Sequence, residues 1–192
     1  DVFTDEKLQL LKDYGVTRIC VNPQSFCDAT LERIGRRHTS ADIYRAYEMA
    51  QKFGFDVNFD LIAGLTGETC EEFEESVDRA IALSPENITV HTLCLKKGAQ
   101  LKEEESFLNV ERIQEMIAYS RERLSKSGYV PYYMYRQKYM AGNCENTGWT
   151  KPGKACVYNV DVMEEITDNL ACGANAVGKK IFLHEGRIER QG

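Results

Sequence analysis

Apolar and polar side chains alternate with period two from Phe55 to Ile62, and this run predicts a β-strand. Gly64 and Gly67 then punctuate a loop. Thr69 and Glu72 have the spacing of a capping box, so a helix follows with Phe73, Val77, Ala80 and Ile81 on its apolar stripe, and Pro85 closes it. The same alternation of patterns holds on either side. Upstream, a helix from Thr4 to about Asp13 buries Leu8 and Leu11 and stops at Gly15, and Thr17–Val21 reads as a short strand broken by Asn22-Pro23. Residues 28–35 form a helical turn or two. Thr39 with Asp42 then opens an amphipathic helix carrying Ile43, Ala46, Tyr47 and Ala50, which runs to Gly54. Downstream, Asn87–Leu93 is a third strand.

Strand starts near 17, 55 and 88 give a βαβαβ order, which winds right-handedly into a parallel sheet, open or closed as a barrel. Ligands bind at the carboxyl ends of such strands, where Gln24, Asp60 and Cys94 fall, so these three are expected on one rim. Taken alone, Asp60 could equally serve only to order its turn.

Beyond Lys96 a charged loop suggests a boundary near 103, so the expected domains are 1–103 and 104–192. Val110, Ile113, Ile117 and Leu124 mark a long helix ended by Gly128. The aromatic run Tyr129–Tyr135 reads as a strand more suited to packing than to ligand binding, and 142–154 reads as a loop. Residues 176–183 and 187–190 form a hairpin across His184-Glu185-Gly186.

Composition narrows the function classes. The 192 residues are 43% hydrophobic and 28% charged, which suits a globular protein with a sizeable core. A net charge of −6 gives no electrostatic case for general nucleic-acid or anionic-membrane binding. No apolar run reaches membrane-span length, the first residues lack the pattern of a signal peptide, and a cytoplasmic setting is the default expectation. Seven isolated cysteines fit reduced thiols, and with no C-x-x-C spacing no local metal knuckle is expected.

Three segments taken together, VNPQSFCDATLERIGRRHT at 21–39, FDLIAGLTGET at 59–69 and LACGANAVGKK at 170–180, resemble the oxygen-independent coproporphyrinogen III oxidase family of radical S-adenosylmethionine (SAM) enzymes. The block PYYMYRQKYMAGNCENTGWTKPGKACVYN at 131–159 is similar to its coproporphyrinogen dehydrogenase branch. The resemblance implies an α/β chain: the second half of a radical SAM (β/α) partial barrel, then a smaller α+β C-terminal domain. It implies SAM contacts from Gln24, Arg36 and Asp60, and main-chain contacts at Cys94 and Val177. These residue types suit the ligand, since a guanidinium pairs with a carboxylate and a carboxylate accepts from ribose hydroxyls.

The implied reaction is oxidative decarboxylation of coproporphyrinogen III propionates to vinyl groups, with SAM, a [4Fe-4S] cluster and an external electron donor. Arg37, His38, Arg136 and Lys138 are hypothetical propionate contacts. The C-x-x-x-C-x-x-C loop that holds the family's cluster does not occur in the sequence, so its ligands are expected upstream, the chain is expected to be a C-terminal piece, and the piece alone is expected to be inactive and to associate through its exposed edge. Thr66, Asn175 and Gly178 stand where the family usually has proline, glycine and serine. Two other readings stay open. One is a haem-binding chaperone, against which Tyr158-Asn159 stands where such relatives carry His-Asn; the other is a SAM- or nucleotide-binding module without redox chemistry.

Overall fold

The computed structural model describes residues 3–94, 110–136 and 144–191. Their contacts divide into two compact units, Asp1–Ala155 and Cys156–Gly192. The boundary expected near 103 falls in 95–109, outside the described residues.

In the first unit the elements run α1 (Asp5–Asp13), β1 (Arg18–Gln24), α2 (Asp28–Arg33), α3 (Ser40–Lys52), β2 (Asp56–Ala63), α4 (Cys70–Leu83), β3 (Asn87–Thr92), α5 (Val110–Lys126), β4 (Val130–Tyr135) and β5 (Asn146–Thr150). They form one five-stranded sheet in the order β1-β2-β3-β5-β4. Strands β1, β2 and β3 are parallel, as the βαβαβ order requires, and β5 runs antiparallel to both β3 and β4. Both expected capping boxes are present. Asp42 accepts from Thr39 N at 2.8 Å and Glu72 accepts from Thr69 N at 2.8 Å, so each helix begins where the short-range pattern places it.

Two elements depart from the sequence reading. Strand β1 continues through Asn22-Pro23 to Gln24, because a register shift between Val21 and Gln24 takes the proline, which has no N–H, out of the ladder. Strand β5 lies inside the expected 142–154 loop. Its Gly148 signals a turn by sequence but answers a packing need, since a Cβ there would sit 1.9 Å from Cε1 of Tyr133.

The alternating side chains sort cleanly. Ile19 and Val21 of β1, Val57, Phe59, Leu61 and Ala63 of β2, and Ile88 and Val90 of β3 are all buried against Leu31, Ile43, Ala50, Phe73, Val77, Ala80, Met116 and Leu124 of the helices. Phe26 and Tyr47 meet the Phe59 ring at centroid distances of 6.2 and 5.5 Å. The intervening residues of the same strands, mostly polar but including Cys20 and Ile62, form the other face.

In the second unit, α6 (Val157–Glu164) has no buried residue and β6 (Gly178–Phe182) pairs antiparallel with β7 (Arg187–Gln191). The turn between them, Leu183–Glu185, ends at Gly186 with φ 59°, so the expected hairpin is present. Across it the Arg187 guanidinium stacks 3.9 Å from the Phe182 ring centroid. Asn175 adopts φ 62°, a left-handed conformation that asparagine tolerates better than most residues.

Candidate functional site

The carboxyl end of β1 is a strained turn. Gln24 is buried yet adopts φ 67°, which non-glycine residues seldom do, and such conformations persist only where their surroundings hold them. The turn is held from both sides. His38 Nε2 lies 3.2 Å from the carbonyl of Pro23, which ties the loop carrying Arg36 and Arg37 to the end of β1. On the other side Ser25 donates to Glu68 at 2.7 Å, and Phe26 N donates to Ser76 Oγ at 2.9 Å. Arg33 of α2 reaches the same neighbourhood and donates to the carbonyl of Thr66 at 3.0 Å, linking the turns after β1 and β2.

Asp60 stands beside this turn. Gln24, the last residue of β1, pairs with Leu61 in the β1–β2 ladder, so Asp60 is next along β2 to its partner, three residues before that strand ends at Ala63. Cys94 lies two residues past Thr92, whose ladder partner is Ala63, and so stands further out on the same edge. Arg36 is exposed. Val177 is exposed too, but it belongs to the second unit. The structure therefore brings Gln24 and Asp60 together, with Arg36 on a loop anchored next to Gln24.

Of the hypothetical propionate contacts, His38 is engaged with Pro23 and Arg37 is exposed. Arg136 pairs with Glu145 at 2.8 Å. Lys138 lies outside the described residues.

On the polar face Asp60 Oδ1 accepts from Asn58 Nδ2 at 2.8 Å and lies 3.5 Å from His91 Nε2. His91 Nδ1 is 3.1 Å from the hydroxyl of Tyr135. In parallel, Thr89 Oγ1 donates to Asn58 Oδ1 at 3.3 Å and stands 3.2 Å from the hydroxyl of Tyr133. Burial holds the phenols of Tyr133 and Tyr135 protonated above the usual tyrosine range, and the Asp60 charge adds to the effect. In the tautomer that directs Nε2–H at Asp60, Nδ1 of His91 accepts from the Tyr135 hydroxyl. The arrangement is a carboxylate oriented by an amide and an imidazole, and the imidazole is itself oriented by a phenol.

These supporting residues were not singled out by sequence. The signal was nonetheless present: Asn58 and Asp60, Thr89 and His91, and Tyr133 and Tyr135 are each two apart on a strand and share a face. What the sequence lacks is the sheet order. Gly148 of β5 lies between Thr89 and Tyr133 in the ladders, and its missing side chain lets the Tyr133 hydroxyl reach across to β3.

Among the described residues no group of three or more His, Cys, Asp or Glu side chains is arranged to hold a metal ion, and none of the seven cysteines forms a disulfide. No helix among them is long and apolar enough to cross a membrane.

Residues 1–80 match the Radical SAM superfamily pattern. The chain is 38% identical over 192 aligned residues to the oxygen-independent coproporphyrinogen-III oxidase-like protein HemZ of Bacillus subtilis (strain 168), covering 98% of the chain and 38% of that protein. It is 37% identical over 97 residues to the heme chaperone HemW of the same organism, covering 50% of the chain and 26% of that protein. Its fold matches the coproporphyrinogen III oxidase HemN of Escherichia coli with a TM-score of 0.69 at 19% identity, over 92% of the chain and 42% of that structure. The chain thus spans about two fifths of HemZ and about a quarter of HemW from Bacillus subtilis.

Proposed function

The chain belongs to the coproporphyrinogen oxidase-like family of radical SAM proteins, and on that premise we propose that its β1 and β2 ends form part of a SAM site. The whole protein is proposed to decarboxylate coproporphyrinogen III propionates oxidatively to vinyl groups, in the cytoplasm, with an external electron donor. The observation that carries the reading is Asp60, a half-buried carboxylate fixed by Asn58 and His91 next to the left-handed Gln24.

The donor set fits SAM. Asp60 suits the ribose hydroxyls, Gln24 a polar edge of the ligand, and Arg36 the methionine carboxylate, while main-chain atoms at Cys94 are a further proposed contact. SAM bound in this way supplies hydrogen-abstracting radical chemistry. The chain's own residues orient it: the Tyr135–His91 pair turns an N–H toward Asp60, and the turn held by Ser25 presents Gln24. A [4Fe-4S] cluster does not fit the described residues, which bring no three thiolates together, so no step is assigned to one here.

A second reading, haem carriage, is favoured by the relatives named heme chaperones, although those matches are lower in identity or shorter than that to HemZ. The test is anaerobic turnover by the full-length protein reconstituted with iron and sulfide, with coproporphyrinogen III, SAM and a reductant. Formation of 5'-deoxyadenosine together with protoporphyrinogen supports the oxidase reading. The nucleoside alone would change the substrate, and neither product, with stoichiometric haem binding, would transfer the assignment to haem carriage.

A further inference from the structure

Glu68 follows the loop after β2 and is fully buried. One carboxyl oxygen accepts from Ser25 at 2.7 Å, while the other is buried with no hydrogen-bond partner among the described residues. A carboxylate there would carry its charge with one oxygen unsolvated, which is costly, whereas the neutral acid avoids that cost.

The Ser25 hydroxyl that meets Glu68 is the centre of the turn after β1. It accepts from Cys27 N at 3.1 Å and stands 3.3 Å from the Ser76 hydroxyl, which in turn accepts from Phe26 N and donates to the carbonyl of Glu72. The residue before Ser25 is Gln24, whose left-handed backbone needs such support.

The surroundings of Glu68 are mixed in charge. Burial is the largest influence on its carboxyl and raises it. The Ser25 hydrogen bond opposes that rise, the Glu72 carboxylate on α4 adds to it, and the guanidiniums of Arg112 on α5 and Arg33 on α2 pull back. The net result is a carboxyl raised to about 7. Cys27, the remaining titratable group of the turn, is directed at Glu72 with its sulfur 3.5 Å away.

We infer that Glu68 is a positioning residue for Gln24: while neutral, its carboxyl stays sealed behind Ser25 and the turn after β1 is closed, whereas ionisation leaves its unpartnered oxygen charged and unsolvated, which favours opening of that turn to water and weakens ligand binding at the rim. This rests on the SAM reading only for the identity of the ligand. No bond is made or broken in the covalent sense. A proton leaves Glu68 for solvent, and the buried carboxylate then draws water toward a site that had none to offer it.

The experiment compares wild type with Glu68→Gln and Glu68→Ala in the full-length protein, following amide exchange protection at Phe26 and Cys27 and equilibrium binding of SAM across neutral pH. In wild type, protection and SAM affinity should both fall by about tenfold or more as Glu68 ionises, the scale of leaving a buried polar atom unsatisfied. Glu68→Gln keeps the neutral, hydrogen-bonding shape and should be flat with pH in both readouts. Glu68→Ala should be poorly protected throughout; if it does not fold, the comparison of wild type with Glu68→Gln still decides. A wild-type pH dependence retained in Glu68→Gln, or wild-type protection indifferent to pH, would overturn the inference. If protection follows the expected profile but SAM binds at no pH, the SAM assignment fails and the role of Glu68 in the turn stands.

Discussion

One face of the sheet is built from Ile19, Val21, Val57, Phe59, Leu61, Ile88 and Val90, and the other from the residues between them, with Asn58, Asp60, Thr89 and His91 joined by Tyr133 and Tyr135. The first face is held by area removed from water, a force without direction that any well-filled apolar set satisfies. The second is held by hydrogen bonds with fixed partners, in which each group depends on the register of the strand beside it. The same backbone thus presents a tolerant surface to the helices and an exacting one on its other side.

The largest effect should come from the apolar face. Phe59→Ala removes a fully buried ring from the middle of β2 and should cost about 3–5 kcal/mol in denaturant unfolding. A cost near that of an exposed site would mean that this face is not the core.

Glu68 comes next, because it sits where the two regimes meet. Its folded-state carboxyl titrates at about 7 against an ordinary 4.5, so the native state binds the proton more tightly than the unfolded chain. Its stabilising contribution is therefore complete below about pH 4.5 and is lost as pH rises through about 7. The loss should be up to about 3 kcal/mol and absent in Glu68→Gln, as read from unfolding midpoints against pH.

On the polar face, Asp60→Ala should weaken SAM binding to the full-length protein by about 1.5–3 kcal/mol. It should cost less unfolding free energy than Phe59→Ala, since the side chain keeps 22% of its surface exposed whereas the Phe59 ring keeps none. Unchanged SAM affinity would remove Asp60 from the site.

Gly148→Ala should cost about 1–3 kcal/mol by forcing the Tyr133 ring off β5. Because Tyr133 then leaves Thr89, ligand binding should suffer with stability, unlike the outcome for Phe59→Ala in variants that remain folded.

Tyr135→Phe is the mildest test, at about 0.5–1.5 kcal/mol for the lost hydrogen bond to His91. It should appear in SAM affinity and in the ring-nitrogen chemical shifts that report the His91 tautomer by NMR, with little change in stability. Unmoved ring-nitrogen shifts would show that the phenol does not govern the imidazole.

Much of the first unit is legible in sequence because its signals are local. The capping boxes at Thr39 and Thr69, the glycine stops and the period-two run of β2 each depend on residues within a few positions of one another, and each is found where expected. The place expected for Asp60, at the end of its strand, is not the one found, because β2 continues three residues beyond it to Ala63. Strand β5 was hidden because Gly148 carries the composition of a turn, and Pro23 hid the end of β1 because its tolerance depends on a register shift against β2.

The sequence alone determined which residues of each strand share a face, since that follows from backbone geometry that repeats every two residues. Only the tertiary structure decided that β5 inserts between β3 and β4, that Tyr133 and Tyr135 therefore reach Thr89 and His91, and that Glu68 is sealed from water against Ser25. Those pairings join residues more than 40 positions apart, and the strengths of their hydrogen bonds and the ionisation of the carboxyl are set by surroundings that exist only after the chain has closed around them.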